Sequence, residues 1–218
     1  KTEQKAAGYA MATTNEKTTS VEFAINERFS VKSSQNDAKL TIHEYLMKAS
    51  YMYRCVPKLD KHAYLLAKVT DFSQYSFLSG NASLYLDGNY VGTSYLSIAQ
   101  TTDTLQFSLG QDNGIVVERT LAEDFSSKKA VSKNYKQTIA WNISAKNNKR
   151  SDATLEIADN IPVAGNSQIV VSDISNEGAQ VDEQNIATWR WVLKPGESKK
   201  ATLSYIVTYP KTMSLDLR

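Results

Sequence analysis

From Tyr135 to Lys146 the chain alternates without a break. Tyr135, Gln137, Ile139, Trp141, Ile143 and Ala145 fall on one side of an extended backbone, and Lys136, Thr138, Ala140, Asn142, Ser144 and Lys146 on the other. Successive side chains of a strand point to opposite faces, so this stretch reads as a strand with one face for a core. Alternation this long also fixes register, because a slip of one residue would expose Trp141.

The same period recurs along most of the chain. "SVEFAIN" puts Val21, Phe23 and Ile25 on one face. "KLTIHEYL" does so with Leu40, Ile42 and Leu46, interrupted by Glu44, which must face solvent at an edge or pair with a cation. "SYMYR" sets Tyr51 and Tyr53 against Met52, and "HAYLLAKV" is apolar on both faces, as a central strand is. In "ASLYLDGNYVG" two apolar-rich runs flank Asp87-Gly88, which tolerate positive φ, so the segment reads as a hairpin. "TLQFSLG" aligns Leu105, Phe107 and Leu109. "GQDNG", Gly110 to Gly114, reads as a boundary, and beyond it strand patterns restart in "IVVERTL", "ATLEIAD", "SQIVVSDI", "IATWRWVLK" and "KATLSYIVTYP". Helical periodicity is nearly absent; "TLAEDFSSKK" has room for one turn. The expectation is an all-β chain: two tandem immunoglobulin-like β-sandwich units, residues 20–111 and 112–212, after a disordered lead-in at 1–19. One elongated β domain is the alternative.

The segment Trp189 to Pro210 raises its own question. Ala187, Trp189, Trp191 and Leu193 share one face, and Thr188, Arg190 and Val192 the other. Lys194-Pro195-Gly196-Glu197 fits a type II turn. The return strand aligns Ala201, Leu203, Tyr205, Val207 and Tyr209, and Pro210 closes it. If the two strands are neighbours, their apolar faces point the same way and the Trp pair is core. The competing reading is an exposed platform for a carbohydrate.

Bulk composition excludes more than it assigns. Of 218 residues 41% are hydrophobic and 22% charged, enough for a packed core. The net charge of +2 gives no global pull toward nucleic acid or anionic lipid. One cysteine, Cys55, makes no internal disulfide. No run of about 18 apolar residues is present to span a bilayer. The start at Lys1, without an initiator Met, reads as a piece of a longer protein.

Several blocks resemble the C-terminal domain of mucoidy inhibitor A-like proteins: "VPKLDKHAYLLAKVTDFS" (56–73), "LYLDGNYVGTSYL" (84–96), "LQFSLGQDNGIVVERTLAEDFSSKK" (105–129), "NYKQTIAWNISAKNN" (134–148), "IADNIPVAGNSQIVV" (157–171) and "WVLKPGESKKATLSYIVTYPK" (191–211). The resemblance covers nearly everything after about residue 18. It implies a bacterial, envelope-directed or secreted setting, a link to exopolysaccharide production without a mechanism, and a domain of unknown function. It supplies no catalytic residues.

A search for chemistry finds little. His43 and His62 lie in separate segments without metal-ligand spacing, and one cysteine builds no zinc site. Cys55 near either His could be a nucleophile, yet a buried, inert thiol is the commoner case. There is no G-x-S-x-G elbow, phosphate loop or dinucleotide fingerprint. Glu118, Glu123 and Asp124 fall near the Gly110–Gly114 stretch, and the "DNG" at 112–114 offers one carboxylate, too few for a calcium loop. No catalytic residue, cofactor or metal is assigned.

Charge order is the one unusual feature. From Phe125 to Arg150 the charges are Lys128, Lys129, Lys133, Lys136, Lys146, Lys149 and Arg150, all positive. From Ser151 to Trp189 they are Asp152, Glu156, Asp159, Asp173, Glu177, Asp182 and Glu183, all negative. Solvated loops produce such blocks by chance. The sharper reading is a polar module whose seven cations bind an acidic glycan or other polyanion, or which self-associates head to tail. Taken together, the sequence points to a non-enzymatic module with a structural, adhesive or protein/glycan-interaction role. The alternatives are a polysaccharide-acting enzyme using scattered carboxylates and an assembly module pairing by β-augmentation.

Overall fold

The structure, a computed structural model, describes residues 12–17, 20–25, 41–75, 77–98 and 104–215. It is all-β, with fourteen strands and two single 3-10 turns at Phe72–Gln74 and Glu123–Phe125 among the described residues. The second turn falls where "TLAEDFSSKK" left room for one. By contacts the chain divides into two compact units. One holds residues 1–49, 69–81 and 95–105, and the other 50–68, 82–94 and 106–218.

The first unit contains the antiparallel pair β1 (Ala12–Lys17) and β2 (Ser20–Ile25). β1 lies within the expected lead-in, whose residues 1–11 and 18–19 fall outside the described set. The strand expected from "KLTIHEYL" is absent: Thr41–Lys48 has no regular structure, and Leu40 is outside the described residues. The alternation is present but in the opposite phase. Leu46 is fully exposed, whereas His43, Tyr45 and Met47 are half-buried. Aromatic packing decides the phase, because Tyr45 stacks on His43 (5.6 Å) and sits against Tyr75 (4.6 Å) and Phe77 (5.5 Å). Glu44 is exposed.

The second unit carries a ten-stranded sheet. Its strands are β3 (Ala49–Val56), β4 (Asp60–Thr70), β7 (Thr104–Leu121), β8 (Ser127–Val131), β9 (Asn134–Asn147), β10 (Ala153–Asn160), β11 (Val170–Ser175), β12 (Gln180–Val181), β13 (Ile186–Leu193) and β14 (Ser198–Pro210). The order is β11-β14-β9-β7-β4-β3-β10-β13-β12, with β8 also pairing β9. A separate hairpin, β5 (Gly80–Leu86) and β6 (Asn89–Leu96), turns at Asp87 (φ 49°) and Gly88 (φ 78°), as its sequence requires.

One apolar cluster holds this sheet together. β9 contributes Ile139, Trp141 and Ile143, and β14 contributes Leu203, Tyr205 and Tyr209; from the other end of the sheet come Leu155 and Ile157 of β10 and Trp189 of β13. Strands so far apart in sheet order share a core only if the sheet curls back on itself. Trp189 is 2% exposed and donates its indole N–H to the Asn176 carbonyl at 3.0 Å, and Trp191 packs half-buried on the cluster. The Trp pair therefore belongs to the core, and the carbohydrate platform is excluded.

Two features differ from the sequence expectation. β13 and β14 are not neighbours: β13 pairs β10 and β12, whereas β14 pairs β9 and β11. The turn between them is as expected, with Gly196 at φ 76° and Glu197 N–H on Lys194 O at 3.0 Å, but it crosses between ends of the curled sheet. The apolar faces meet through the core instead of lying side by side. The break expected at 111–112 lies inside β7, which runs unbroken through the "GQDNG" stretch. Gly114 serves close approach there: a Cβ on it would stand 2.7 Å from Lys149 Cγ.

Candidate functional site

The seven cations of the basic run are carried mainly by β9 and its flanks. A strand rises about 3.4 Å per residue, so Lys136 and Lys146 stand roughly 34 Å apart along it. They form two groups, not one patch. At one end are Lys128, Lys129, Lys133 and Lys136, and at the other Lys146, Lys149 and Arg150.

The second group is partly consumed within the fold. Lys149 Nζ pairs with Asp112 Oδ2 and donates to Tyr53 Oη at 2.7 Å, and Tyr53 O–H donates to Asp112 Oδ2 at 2.9 Å. Burial pushes the Asp112 carboxyl up, but Lys149, the Gly114 N–H and the Tyr53 hydroxyl outweigh it and hold it below the usual range. Its partners raise the Lys149 ammonium. Lys146 and Arg150 are exposed.

The first group is gathered by strand pairing. β8 runs antiparallel to β9, with Lys129 opposite Lys136, Lys128 opposite Gln137 and Ala130 opposite Tyr135. On the other side of β9, Tyr209 of β14 lies opposite Tyr135, and the chain then brings Lys211 N–H to Lys133 O at 3.0 Å. Lys128 Nζ sits 4.2 Å from the Tyr135 ring centre and 5.5 Å from that of Tyr209, and Lys211 Nζ is 5.9 Å from Tyr135. Two ammonium groups, those of Lys128 and Lys211, thus share the Tyr135 ring, while Lys129 and Lys136 project from the opposite face of the ladder. Among the described residues one carboxylate pairs with them, Asp173 at 4.0 Å from Lys136. Like charges directly opposite on a ladder oppose folding, so Lys129 beside Lys136 is a cost that Asp173 offsets only in part. Lys211 was not foreseen, since it lies 61 residues downstream of the basic run and only the β9–β14 register brings it in.

A cavity of about 160 Å³ opens beside Lys128, lined also by Leu121, Ser126, Gln137, Thr138 and Ile139. The Gln137 carbonyl accepts the Tyr209 hydroxyl at 3.0 Å, which leaves its NH₂ end for another partner. Ser126 is already used, donating to Ala122 O at 2.9 Å and accepting from Ala140 N–H at 3.2 Å.

The acidic run is largely absorbed by the fold. Asp159, 1% exposed, pairs with Arg119 at 2.6 Å, and Arg119 also lies 3.5 Å from the Trp141 ring centre. Glu156 pairs with Arg54 (3.6 Å) and Arg190 (2.9 Å). Glu177 accepts Thr202 N–H at 2.6 Å, and Asp182 accepts the N–H groups of Gln184 and Ile186. Asp152 and Glu183 are exposed.

A larger groove, about 560 Å³, is lined by Pro57, Lys61, His62, Asp112, Glu118 and Arg119 among others. Its strongest charges are neutralised internally, Asp112 by Lys149 and Arg119 by Asp159. His62 Nδ1 lies 2.5 Å from Asp60 Oδ1, and Tyr64 donates to Asp60 Oδ2 at 2.7 Å. Hydrogen bonds from the His62 backbone N–H, Tyr64 and the His62 ring hold Asp60 down at about 2. Burial, aided by Asp60, pushes the Cys55 thiol up to about 12, so it is protonated at neutral pH and a poor nucleophile. Among the described residues no group of three or more His, Cys, Asp and Glu could hold a metal ion. No helix there is long and apolar enough to cross a membrane.

A profile of the family described as "Domain of unknown function (DUF4139)" matches residues 2–211. The curated Protein F37C4.5 of Caenorhabditis elegans is 22% identical over 204 residues, which cover 87% of this chain and 37% of that protein. The chain thus spans about a third of the length of the relative it matches. No solved structure matches.

Proposed function

The chain belongs to the DUF4139 family, and from that premise we propose that it is a non-enzymatic interaction module that binds an acidic partner through the end of the β8–β9 hairpin. One observation carries this reading: Lys128, Lys129, Lys133, Lys136 and Lys211 gather at one end of the β8–β9 hairpin, on both faces of the ladder, with a single paired carboxylate among the described residues. Such a surface attracts a polyanion over about a Debye length, roughly 8 Å at physiological ionic strength. The far group, with Lys149 held by Asp112, contributes little.

The test is a titration of immobilised protein with polygalacturonate and with dextran sulfate, from about 50 mM to about 500 mM NaCl. Binding at low salt should weaken steadily as salt rises. Lys129→Glu with Lys133→Glu should lower affinity by roughly tenfold or more, about 1.4 kcal/mol. Lys146→Glu with Arg150→Glu should leave it nearly unchanged. Lys129→Glu also creates an opposite-charge pair with Lys136, so its Tm should rise while its affinity falls. That divergence separates binding from folding. Salt-independent binding, or full binding by the Lys129/Lys133 variant, removes the proposal.

A further inference from the structure

We infer that the 160 Å³ cavity beside Lys128 is a subsite for one anionic substituent, a carboxylate or sulfate group, of an acidic glycan. This rests on the polyanion reading and adds a defined seat to it. Lys128 and Gln137 are directly opposite on β8 and β9, so their side chains share a face, and both line the cavity. Gln137 is oriented: its carbonyl is taken by Tyr209, itself fully buried, so the two N–H donors of its amide are the free end. Lys128 is held over Tyr135 and Tyr209 and has no carboxylate partner among the described residues. An ammonium and an oriented amide donor pair beside a pocket are the complement of an anionic oxygen.

The volume sets the ligand's size. At about 30 Å³ per water, the cavity holds the equivalent of roughly five waters. That admits one charged substituent and leaves the polymer outside. Nucleic acid fits poorly, because single strands bind by stacking bases on aromatic faces and Lys128 already covers Tyr135. A glycan bearing one anion per sugar unit places a single group in the pocket and the next toward Lys211, whose ammonium shares the Tyr135 ring with Lys128.

The experiment uses the whole chain with polygalacturonate, its fully methyl-esterified form, dextran sulfate and polyglutamate. Gln137→Met deletes the donors without changing charge. Gln137→Glu keeps an acceptor for Tyr209 and puts negative oxygen in the pocket. Gln137→Met should weaken an anionic glycan by about tenfold, the loss of one hydrogen bond to a charged group, with the salt slope unchanged. Gln137→Glu should weaken it further, and the esterified polymer should not bind. Whichever of the uronate and the sulfate loses affinity in Gln137→Met is the group the pocket seats. If Lys129→Glu with Lys133→Glu weakens binding but both Gln137 variants bind as wild type, the subsite is wrong and the polyanion reading stands. If the wild type binds no polyanion, both fall. If polyglutamate competes as well as the glycans and shows the same Gln137 dependence, the assignment to a glycan is overturned.

Discussion

Two buried polar residues show what the fold demands of individual side chains. Asn147 is wholly buried and fully satisfied: its amide nitrogen donates to Ser151 O and Leu193 O, each at 2.9 Å, and its side-chain oxygen accepts Lys149 N–H at 2.9 Å. It pins the end of β9 beside the β13–β14 turn, where Gly196 N–H also reaches Asn147 O at 2.8 Å. Arg119 and Asp159 form the other case, a charge pair with side chains 11% and 0% exposed. Removing one partner of a buried pair strands the other charge. Arg119→Met should therefore cost about 3–5 kcal/mol in urea unfolding, whereas Arg119→Met with Asp159→Leu should recover most of it. A double variant no more stable than the single would show that the pair is not acting as a unit. Neither residue was legible in the sequence. Asp159 reads as one more acid in an acidic run, and Arg119 does not stand out within "IVVERTL"; only the curling of the sheet brings β7 and β10 face to face.

At the scale of elements, periodicity was a reliable guide to faces in the long strands β9 and β14, gave the wrong phase in Thr41–Lys48, and was a poor guide to neighbours. The alternation in β9 and β14 matches burial: Ile139, Trp141, Ile143, Ala145, Ala201, Leu203, Tyr205, Val207 and Tyr209 are all buried. Pairing is not written in a strand's own pattern, which is why the short β13–β14 link read as a hairpin. The candidate surface was legible to the same degree. Lys128, Lys129, Lys133 and Lys136 stood out together, but the parting from Lys146, Lys149 and Arg150 needed the strand's length, and Lys211 needed its register. The clamp of Lys149, Asp112 and Tyr53 ties the β9–β10 link to β7 and β3, and it makes a pH prediction. Asp112 titrates below its ordinary value, so its contribution is present above about pH 5 and is lost as pH falls through the folded value. Lys149 is raised by its partners, and Tyr53 is raised by burial. Their contributions are complete below about pH 9 and are lost as pH rises through their folded values. Unfolding free energies of wild type minus Asp112→Asn should be largest between about pH 5 and about pH 9 and shrink at both extremes. A difference that fails to shrink below about pH 4 and above about pH 10 would mean the clamp is not electrostatic.

For the whole molecule, the decisive feature is that the large sheet draws strands from both halves of the chain. Tyr53, Cys55 and Ala63 enter the same cluster as Trp141 and Trp189. Residues 112–218 expressed alone would lack β3, β4 and the first part of β7. They should show no cooperative melting and no near-ultraviolet signature of packed tryptophans. A sharp two-state transition in that fragment would mean that the C-terminal part carries its own core. The parallel pairing of β3 with β10, Tyr53 beside Leu155, has a further consequence for synthesis. The ribosome must release about a hundred residues after β3 before β10, the second of its two neighbours, exists. Until then Tyr53 and Cys55 have only the neighbouring β4 beside them and lack the β10 side of their core, so assembly should be slow.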